Sequence, residues 1–261
     1  MARPIALITG ASSGIGADLA RETAKDGYDV VLSARRLEPM QTLARELETY
    51  GASATIIAAD LSKPEGSLSL AREIDQRGLT IDLLINNAGL GANGPFANSD
   101  IERIGEMLRV NIFALTELTR LILPAMIARK RGKVMLVASL ASFQPGPQMA
   151  VYCASKAYVL SFGEAIAYEL RNSGVTVTTV CPGATATDFS RVAGTENVGL
   201  HRSAMSSLMS SEEVARIGYQ GTKAGRRVVI TGLMNRILAS AARISPHAVV
   251  LPIANSLMST R

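Results

Sequence analysis

Two short stretches hold the residues whose types and spacing can do chemistry. The first, "IALITGASSGIGADLA" over positions 5–20, carries Gly10, Gly14 and Gly16 in a T-G-x-x-x-G-I-G pattern. Glycines opening a helix leave backbone N–H groups bare, and the helix dipole draws an anion to them. Such a loop suits the diphosphate of a dinucleotide. The same residues, Gly10-Ala11-Ser12-Ser13-Gly14, also spell the G-x-S-x-G elbow of serine hydrolases. That elbow needs a later acid and His, and an oxyanion donor from an earlier strand. Here it sits on the first strand with only His201 and His247 after it, so the nucleotide reading prevails. The second stretch, "SLASFQPGPQMAVYCASKAYVLSF", places Ser139 at a strand end and Tyr152-x-x-x-Lys156 at the start of a helix. Four-residue spacing puts Tyr152 and Lys156 on one helical face. A phenol titrates at about 10, too high for acid–base work at neutral pH. A neighbouring ammonium is expected to lower it. With Ser139 donating to a carbonyl oxygen, the set makes a proton-transfer site for a ketone/alcohol pair. Cys153 lies beside Tyr152 in sequence but on another side of the helix, and is expected to be an inert thiol.

The elements that must carry these residues read as alternating strands and helices. Candidate strands are Pro4–Thr9, Tyr28–Ala34, Ser53–Ala59, Ile81–Asn86, Lys133–Ser139, Thr176–Cys181 and Arg227–Thr231. Most are near-continuous apolar runs, as in strands buried on both faces. Helical segments Gly14–Asp26, Leu37–Tyr50 and Pro64–Arg77 each end at a glycine: Gly27, Gly51 and Gly78. The alternation predicts an α/β fold, a single doubly wound Rossmann-type domain with a seven-stranded parallel sheet flanked by helices. Residues 1–232 form this domain, and residues 233–261 a helical C-terminal extension packed on it. In such a sheet ligands bind at the carboxyl edge. The loops "LGANGPF" (90–96) and "TATDFSRVAGTENVGLHRS" (185–203) fall there, the second as a candidate substrate lid.

Composition narrows the class. The 261 residues are 48% hydrophobic with no Trp and a net charge of +5, and the basic residues are scattered without aromatic interleaving, which argues against nucleic acid as a partner. Two cysteines are too few for a disulfide framework, and two histidines too few for a multi-His metal site, so no metal is expected. The start runs straight into a strand, which argues against a signal peptide. Nor does an uninterrupted apolar run reach the length of a membrane span. A cytoplasmic enzyme away from membranes is the expectation. The second strand ends in Ala34-Arg35-Arg36 with no acid until Glu38. An acid there would hold the ribose hydroxyls of NAD, whereas guanidinium groups pair with the 2′-phosphate of NADP. The sequence therefore points to NADP(H), read by Arg35 and Arg36.

Taken together these pieces resemble the short-chain dehydrogenase/reductase family over roughly residues 4 to 232. The resemblance rests on "TGASSGIG" (9–16), Asp60 after the third strand, "NNAG" (86–89), Asn111, Ser139, "YCASK" (152–156) and "PGATAT" (182–187). It implies that Tyr152 is the general acid/base, that Lys156 holds the nicotinamide ribose and tunes Tyr152, and that Ser139 polarises the substrate carbonyl. Asn111 would support a water-linked proton relay. The cofactor would lie on Gly10, Ser12, Ser13, Gly14, Ile15 and Gly16, with Asp60 and Leu61 at the adenine. Asn87, Ala88 and Gly89 would line it, and Pro182, Gly183 and Thr187 would meet its nicotinamide end. The activity implied is hydride transfer between NADP(H) and a carbonyl or secondary alcohol. The competing class is a non-catalytic NADP-binding regulator, for which the full Asn111–Ser139–Tyr152–Lys156 set would have no chemical use.

Beyond the seventh strand, Leu233, Met234, Ile237, Leu238, Ala241 and Ile244 recur at helical spacing before Pro246 breaks the pattern. Three uses of this tail compete: closing over the substrate pocket, packing on a second subunit, or lying on a membrane. Its apolar character, with Phe143 and Met149 as expected pocket walls, points to a hydrophobic ketone or aldehyde. Asp100–Arg129 and Ala150–Asn172 read as long helices with more apolar surface than one sheet face needs, so a homodimer or homotetramer is expected.

Overall fold

The computed structural model describes residues 2–194 and 208–259. Seven parallel strands form one sheet: β1 (Ile5–Thr9), β2 (Asp29–Ala34), β3 (Ala54–Ala58), β4 (Ile81–Asn86), β5 (Gly132–Val137), β6 (Val175–Cys181) and a last strand, Val228–Ile230. Their spatial order is β3-β2-β1-β4-β5-β6-last. The order reverses between β1 and β4, and a crevice must open at that reversal on the carboxyl edge. Helices α1 (Gly14–Lys25), α2 (Leu37–Glu48) and α3 (Gly66–Gln76) link the first strands, ending where Gly27, Gly51 and Gly78 take φ of 89°, 69° and 65°. The fold class and the seven strands thus stand as the sequence predicts. It did not predict a small second pairing of Thr185–Ala186 with Met209–Ser210.

Alternate residues of each strand feed two cores. Leu7 and Leu84 enter the core that also holds Val134, Leu136 and Val159; Ile8, Leu83 and Ile85 enter the other, with Leu19, Leu32 and Met40. The period of two, with apolar side chains sent to both faces, is what burial on both faces demands.

The segment expected as one long helix after β4 is helical throughout but not uniform. A π turn, Arg109–Ala114, joins α4 (Ile101–Leu108) to α5 (Leu115–Ala128). One extra residue per turn rotates the helix there, and Asn111 is carried to the inside, fully buried. The 28-residue stretch Ile101–Ala128 is long and apolar enough, by length and composition, to cross a membrane. Glu117 and Arg120 interrupt its more apolar half. Its inner face belongs to the domain, where Glu117 accepts a hydrogen bond from Ser67 of α3.

Helix α6 (Ala150–Glu169) follows and lies against β5 and β6. Gly163 sets its approach: a Cβ there would strike the Thr179 hydroxyl of β6 and lie 3.1 Å from a Leu136 methyl. The Thr179 hydroxyl is itself buried with no hydrogen-bond partner. Gly163→Ala should cost about 1–3 kcal/mol through overpacking. Adding Thr179→Ala, which removes the struck oxygen, should recover most of it in urea unfolding. A double variant no more stable than Gly163→Ala alone would show that this helix–strand contact does not govern the packing.

Candidate active site

The glycine loop closes over the end of β1 because three positions there admit no side chain. Gly10 and Gly14 take φ of 67° and 53°. At Gly16 a Cβ would collide with the Gly10 carbonyl oxygen and the Asn87 amide nitrogen. The loop is knotted to the end of β4. The Thr9 hydroxyl accepts from the Asn87 and Ala88 amides, both at 3.1 Å, and donates to the Ile85 carbonyl at 3.3 Å. In return Asn87 Nδ2 donates to the Thr9 carbonyl at 2.9 Å. Helix α1 begins at Ser13 with no side-chain cap and no acid in its first turn, so its leading amides are free for an anion.

The Ser13 hydroxyl faces Arg36 instead. Arg36 Nη2 donates to Ser12 Oγ at 3.2 Å and to Ser13 Oγ at 3.1 Å. Arg35 and Arg36 are exposed at the N-terminal end of α2, where positive charge is mildly unfavourable. Across the crevice Asp60 is desolvated, which would raise its carboxyl. Hydrogen bonds from the Ser62 hydroxyl (2.7 Å) and amide (3.0 Å), with Arg35 and Lys63 nearby, outweigh this and hold it below the usual carboxylate range.

At the other end, Ser139 lies just past β5 and caps a short turn, Leu140–Phe143, its Oγ accepting from the Ala141 amide at 3.1 Å. Ser142 completes the reciprocal box and donates to the Lys156 carbonyl at 2.8 Å, which ties the turn to α6. Tyr152 is buried, with Ser139 beside its phenol favouring the charged form. Lys156 is buried on the same face, its Nζ 5.9 Å from the Tyr152 ring centre, and donates to the Val137 carbonyl at 2.9 Å.

The expected lowering of the Tyr152 pKa by Lys156 is not what this geometry gives. Desolvation dominates and pushes the phenol up to about 12, against which Ser139 acts. Desolvation also lowers the Lys156 ammonium to about 8. The two groups share a face, as their spacing predicts, but burial costs each its charged form. Cys153 is pushed up to about 11 by burial, as an inert thiol should be.

Asn111 stands apart. Its Oδ1 accepts from the Leu90 amide at 2.8 Å, while Nδ2 donates to the Leu90 carbonyl and to Ser155 Oγ, both at 2.9 Å. It clamps the loop after β4 from behind.

One cavity of about 700 Å³ runs from the glycine loop to Tyr152. Gly10, Ser12, Ser13, Gly14, Ile15, Gly16, Arg35, Arg36, Asp60 and Leu61 line one end. Asn87, Ala88, Gly89, Ser139, Tyr152, Lys156, Pro182, Gly183 and Thr187 line the middle. Asn111 alone of the expected site residues is off the wall. Sequence reasoning expected Phe143 and Met149 on the wall and missed Phe189. Phe189 lies 5.5 Å from the Tyr152 ring, centre to centre, over the space that Gly91 leaves. Phe143 and Met149 line the far end, joined by residues of two C-terminal helices, Leu233–Ile244 and His247–Met258. The tail helices close over the pocket, the first of the three uses considered. The outer part of the expected lid, 195–207, lies outside the described residues.

Residues 4–198 match the model of a family described as short chain dehydrogenase. The chain is 34% identical over 192 residues to a very-long-chain 3-oxoacyl-CoA reductase of Anas platyrhynchos, matching 72% of this chain and 61% of that protein. It thus spans less than two thirds of that relative's length. It is 30% identical over 236 residues to a 17-beta-hydroxysteroid dehydrogenase type 3 of Mus musculus, matching 89% of this chain and 75% of the relative. Among solved structures it is similar to a short-chain dehydrogenase from Sphingobium yanoikuyae in complex with NADPH, with TM-score 0.81, 32% identity and 88% of each chain covered.

The low Lys156 pKa makes a prediction about stability. The ordinary lysine value is 10.5 and the folded value about 8. Between these pH values the unfolded chain holds the extra proton, so the wild type gains stability as pH rises through the window. Lys156→Met lacks that gain. In urea unfolding at pH 7.5 and pH 10, the stability difference should move toward the wild type by on the order of 2 kcal/mol. An unchanged difference would mean that Lys156 is not desolvated.

Proposed function

The chain belongs to the short-chain dehydrogenase family, and from that premise we propose that it is an NADP(H)-dependent reductase of apolar ketones or aldehydes. The observation that carries this reading is the meeting of the Ser139–Tyr152–Lys156 set with both ends of one cavity. One end is lined with glycines, free amides and arginines. The other is walled by Phe143, Met149, Phe189 and the tail helices.

The residues suit a phosphorylated dinucleotide. Any side chain at Gly16 would fill the cradle, α1 is uncapped, and Arg36 is already drawn toward Ser12 and Ser13 at the rim. When bound, NADPH supplies a hydride from its nicotinamide. This chain's residues handle the oxygen. Ser139 donates a hydrogen bond to the substrate carbonyl oxygen and orients it beside the phenol. As hydride reaches the carbonyl carbon, the C=O π pair moves onto oxygen, which takes the Tyr152 proton and becomes the alcohol. The phenolate left behind is held by Ser139 and by the nearby Lys156 ammonium. A phenol near 12 is protonated at neutral pH, the form that reduction needs. Asn111 is a positioning residue, acting through the Leu90 backbone.

The exposed apolar side chains of α5 and α6, among them Leu121, Ile127 and Tyr168, support pairing of these helices with a second copy. The two buried free thiols are consistent with a cytoplasmic protein.

Tyr152→Phe should abolish NADPH oxidation across a panel of carbonyl compounds and leave cofactor titration nearly unchanged. Substantial turnover in that variant would remove Tyr152 from its role. Cofactor binding without turnover by the wild type on the whole panel would favour a non-catalytic regulator.

The arginines set a second test. A charge-assisted contact contributes roughly 1.5–3 kcal/mol, or on the order of tenfold to a hundredfold in affinity. Arg35→Ala and Arg36→Ala should each weaken NADPH by about that factor and leave NADH nearly untouched. Added salt should shrink the preference, because both side chains are exposed. Equal wild-type affinities for the two cofactors, or equal losses in the variants, would show that these residues do not read the 2′-phosphate.

A further inference from the structure

The two C-terminal helices form a single layer over the mouth of the cavity. They are pinned there. Asn93 Nδ2 donates to the Met258 carbonyl at 3.1 Å, Gln148 Nε2 to Asn255 Oδ1 at 3.4 Å, and the Arg243 guanidinium lies 4.8 Å from the Phe143 ring centre. Their inner faces serve the cavity. Their outer faces are apolar too. Leu233 is 73% exposed and Ile244 85%, with Met234 and Ile237 exposed between them on the same stripe. Val249 and Ile253 are exposed and also line the cavity, so the outer apolar surface and the pocket are continuous.

Charge selects among the possible coverings. No Asp or Glu follows Glu213 in the sequence, and His247–Met258 contains no Asp, Glu, Lys or Arg. Leu233–Ile244 carries Arg236 and Arg243, both exposed, at one edge of the apolar stripe. Besides its contact with the Phe143 ring, Arg243 has among the described residues one loose carboxylate partner, Glu164 of α6 at 3.9 Å, and its side chain stays half exposed. A second copy seated symmetrically on this patch would bring the arginines of both copies together with no carboxylate on the tail to meet them. An anionic lipid surface answers both features, since acyl chains cover the stripe while headgroups pair with the guanidinium groups at its edge.

We propose that the Leu233–Met258 helix pair docks this protein peripherally on an anionic bilayer, with the mouth of its apolar cavity at the lipid surface. This departs from the sequence-based expectation of a protein away from membranes. The charge pattern was legible there, but which face of the tail stayed open was not.

The test reads binding rather than turnover, so its outcome is separate from that of the proposed reaction. The full chain is co-sedimented with vesicles of equimolar phosphatidylglycerol and phosphatidylcholine, and with phosphatidylcholine alone, at low and high salt. The wild type should partition to the anionic vesicles, less at high salt and little to the neutral ones. Ile237→Glu/Ile244→Glu should lower that partitioning by about tenfold or more, since two charges would replace apolar contacts at the interface. Thermal unfolding should be unchanged, because both positions are exposed. A milder pair, Leu233→Ser/Met234→Ser, keeps the test decisive if the first variant unfolds. The proposal is overturned by a wild type that stays in the supernatant, by binding that neither salt nor either variant reduces, or by variants that change only the oligomeric state in light scattering.

Discussion

The hydrogen-bond knot between the ends of β1 and β4 is the contact on which the rest of the site depends. At the reversal of a parallel sheet, neighbouring strands send their chains to opposite faces and leave backbone groups unpaired at the floor of the crevice. Thr9 and Asn87 satisfy those groups with side chains, one hydroxyl serving three backbone partners. This fixes the glycine loop against the loop after β4. Asn111 then clamps that second loop one step further along, at Leu90. The floor of the cavity is therefore built from satisfied polar groups, and the buried phenol and ammonium stand on it without competing for those bonds.

That arrangement has an electrostatic consequence. Tyr152 and Lys156 are buried deeply enough that each is driven toward its neutral form, in opposite directions on the pH scale. Among the described residues the ammonium is held by one carbonyl, that of Val137, and not by a carboxylate. A partner of opposite charge would stabilise the protein but would also neutralise the field at the phenol. The site keeps an incompletely paired cation in a buried place, which is destabilising for the fold and, in the reaction proposed above, useful for holding a transient phenolate.

Much of the fold was legible because its signals are local. The strands are short apolar runs, and Gly27, Gly51 and Gly78 mark helix ends that need a positive φ. Residues of the cavity wall were legible where a side chain's absence or charge is the signal, as at Gly16 and Arg36. Other features were not. The π turn at Arg109–Ala114 has no residue signature, and the contact its Asn111 makes with the Leu90 backbone joins two segments distant in sequence. The high phenol and low ammonium pKa values depend on how much water the completed fold excludes, which spacing on a helix face does not reveal. Phe189 sits over Tyr152 only because Gly91, distant in sequence, leaves room for its ring.

The tail shows how far a hydrophobic stripe can mislead when only one face is considered. A helix that covers a domain usually turns its apolar side inward and its polar side to water. A single layer closing an apolar cavity has two faces to account for. The inner one must be apolar to suit the cavity. Here Leu233, Met234, Ile237 and Ile244 lie outward on the first helix, and the second carries almost nothing polar to present. Such a layer exposed to water would leave a contiguous apolar patch of the kind soluble monomers avoid. The residues that pin it, Asn93, Gln148 and Phe143, belong to the connections after β4 and between β5 and α6. The position of the tail over the mouth is thus fixed from beneath, while its outer face is shaped for contact with something apolar above.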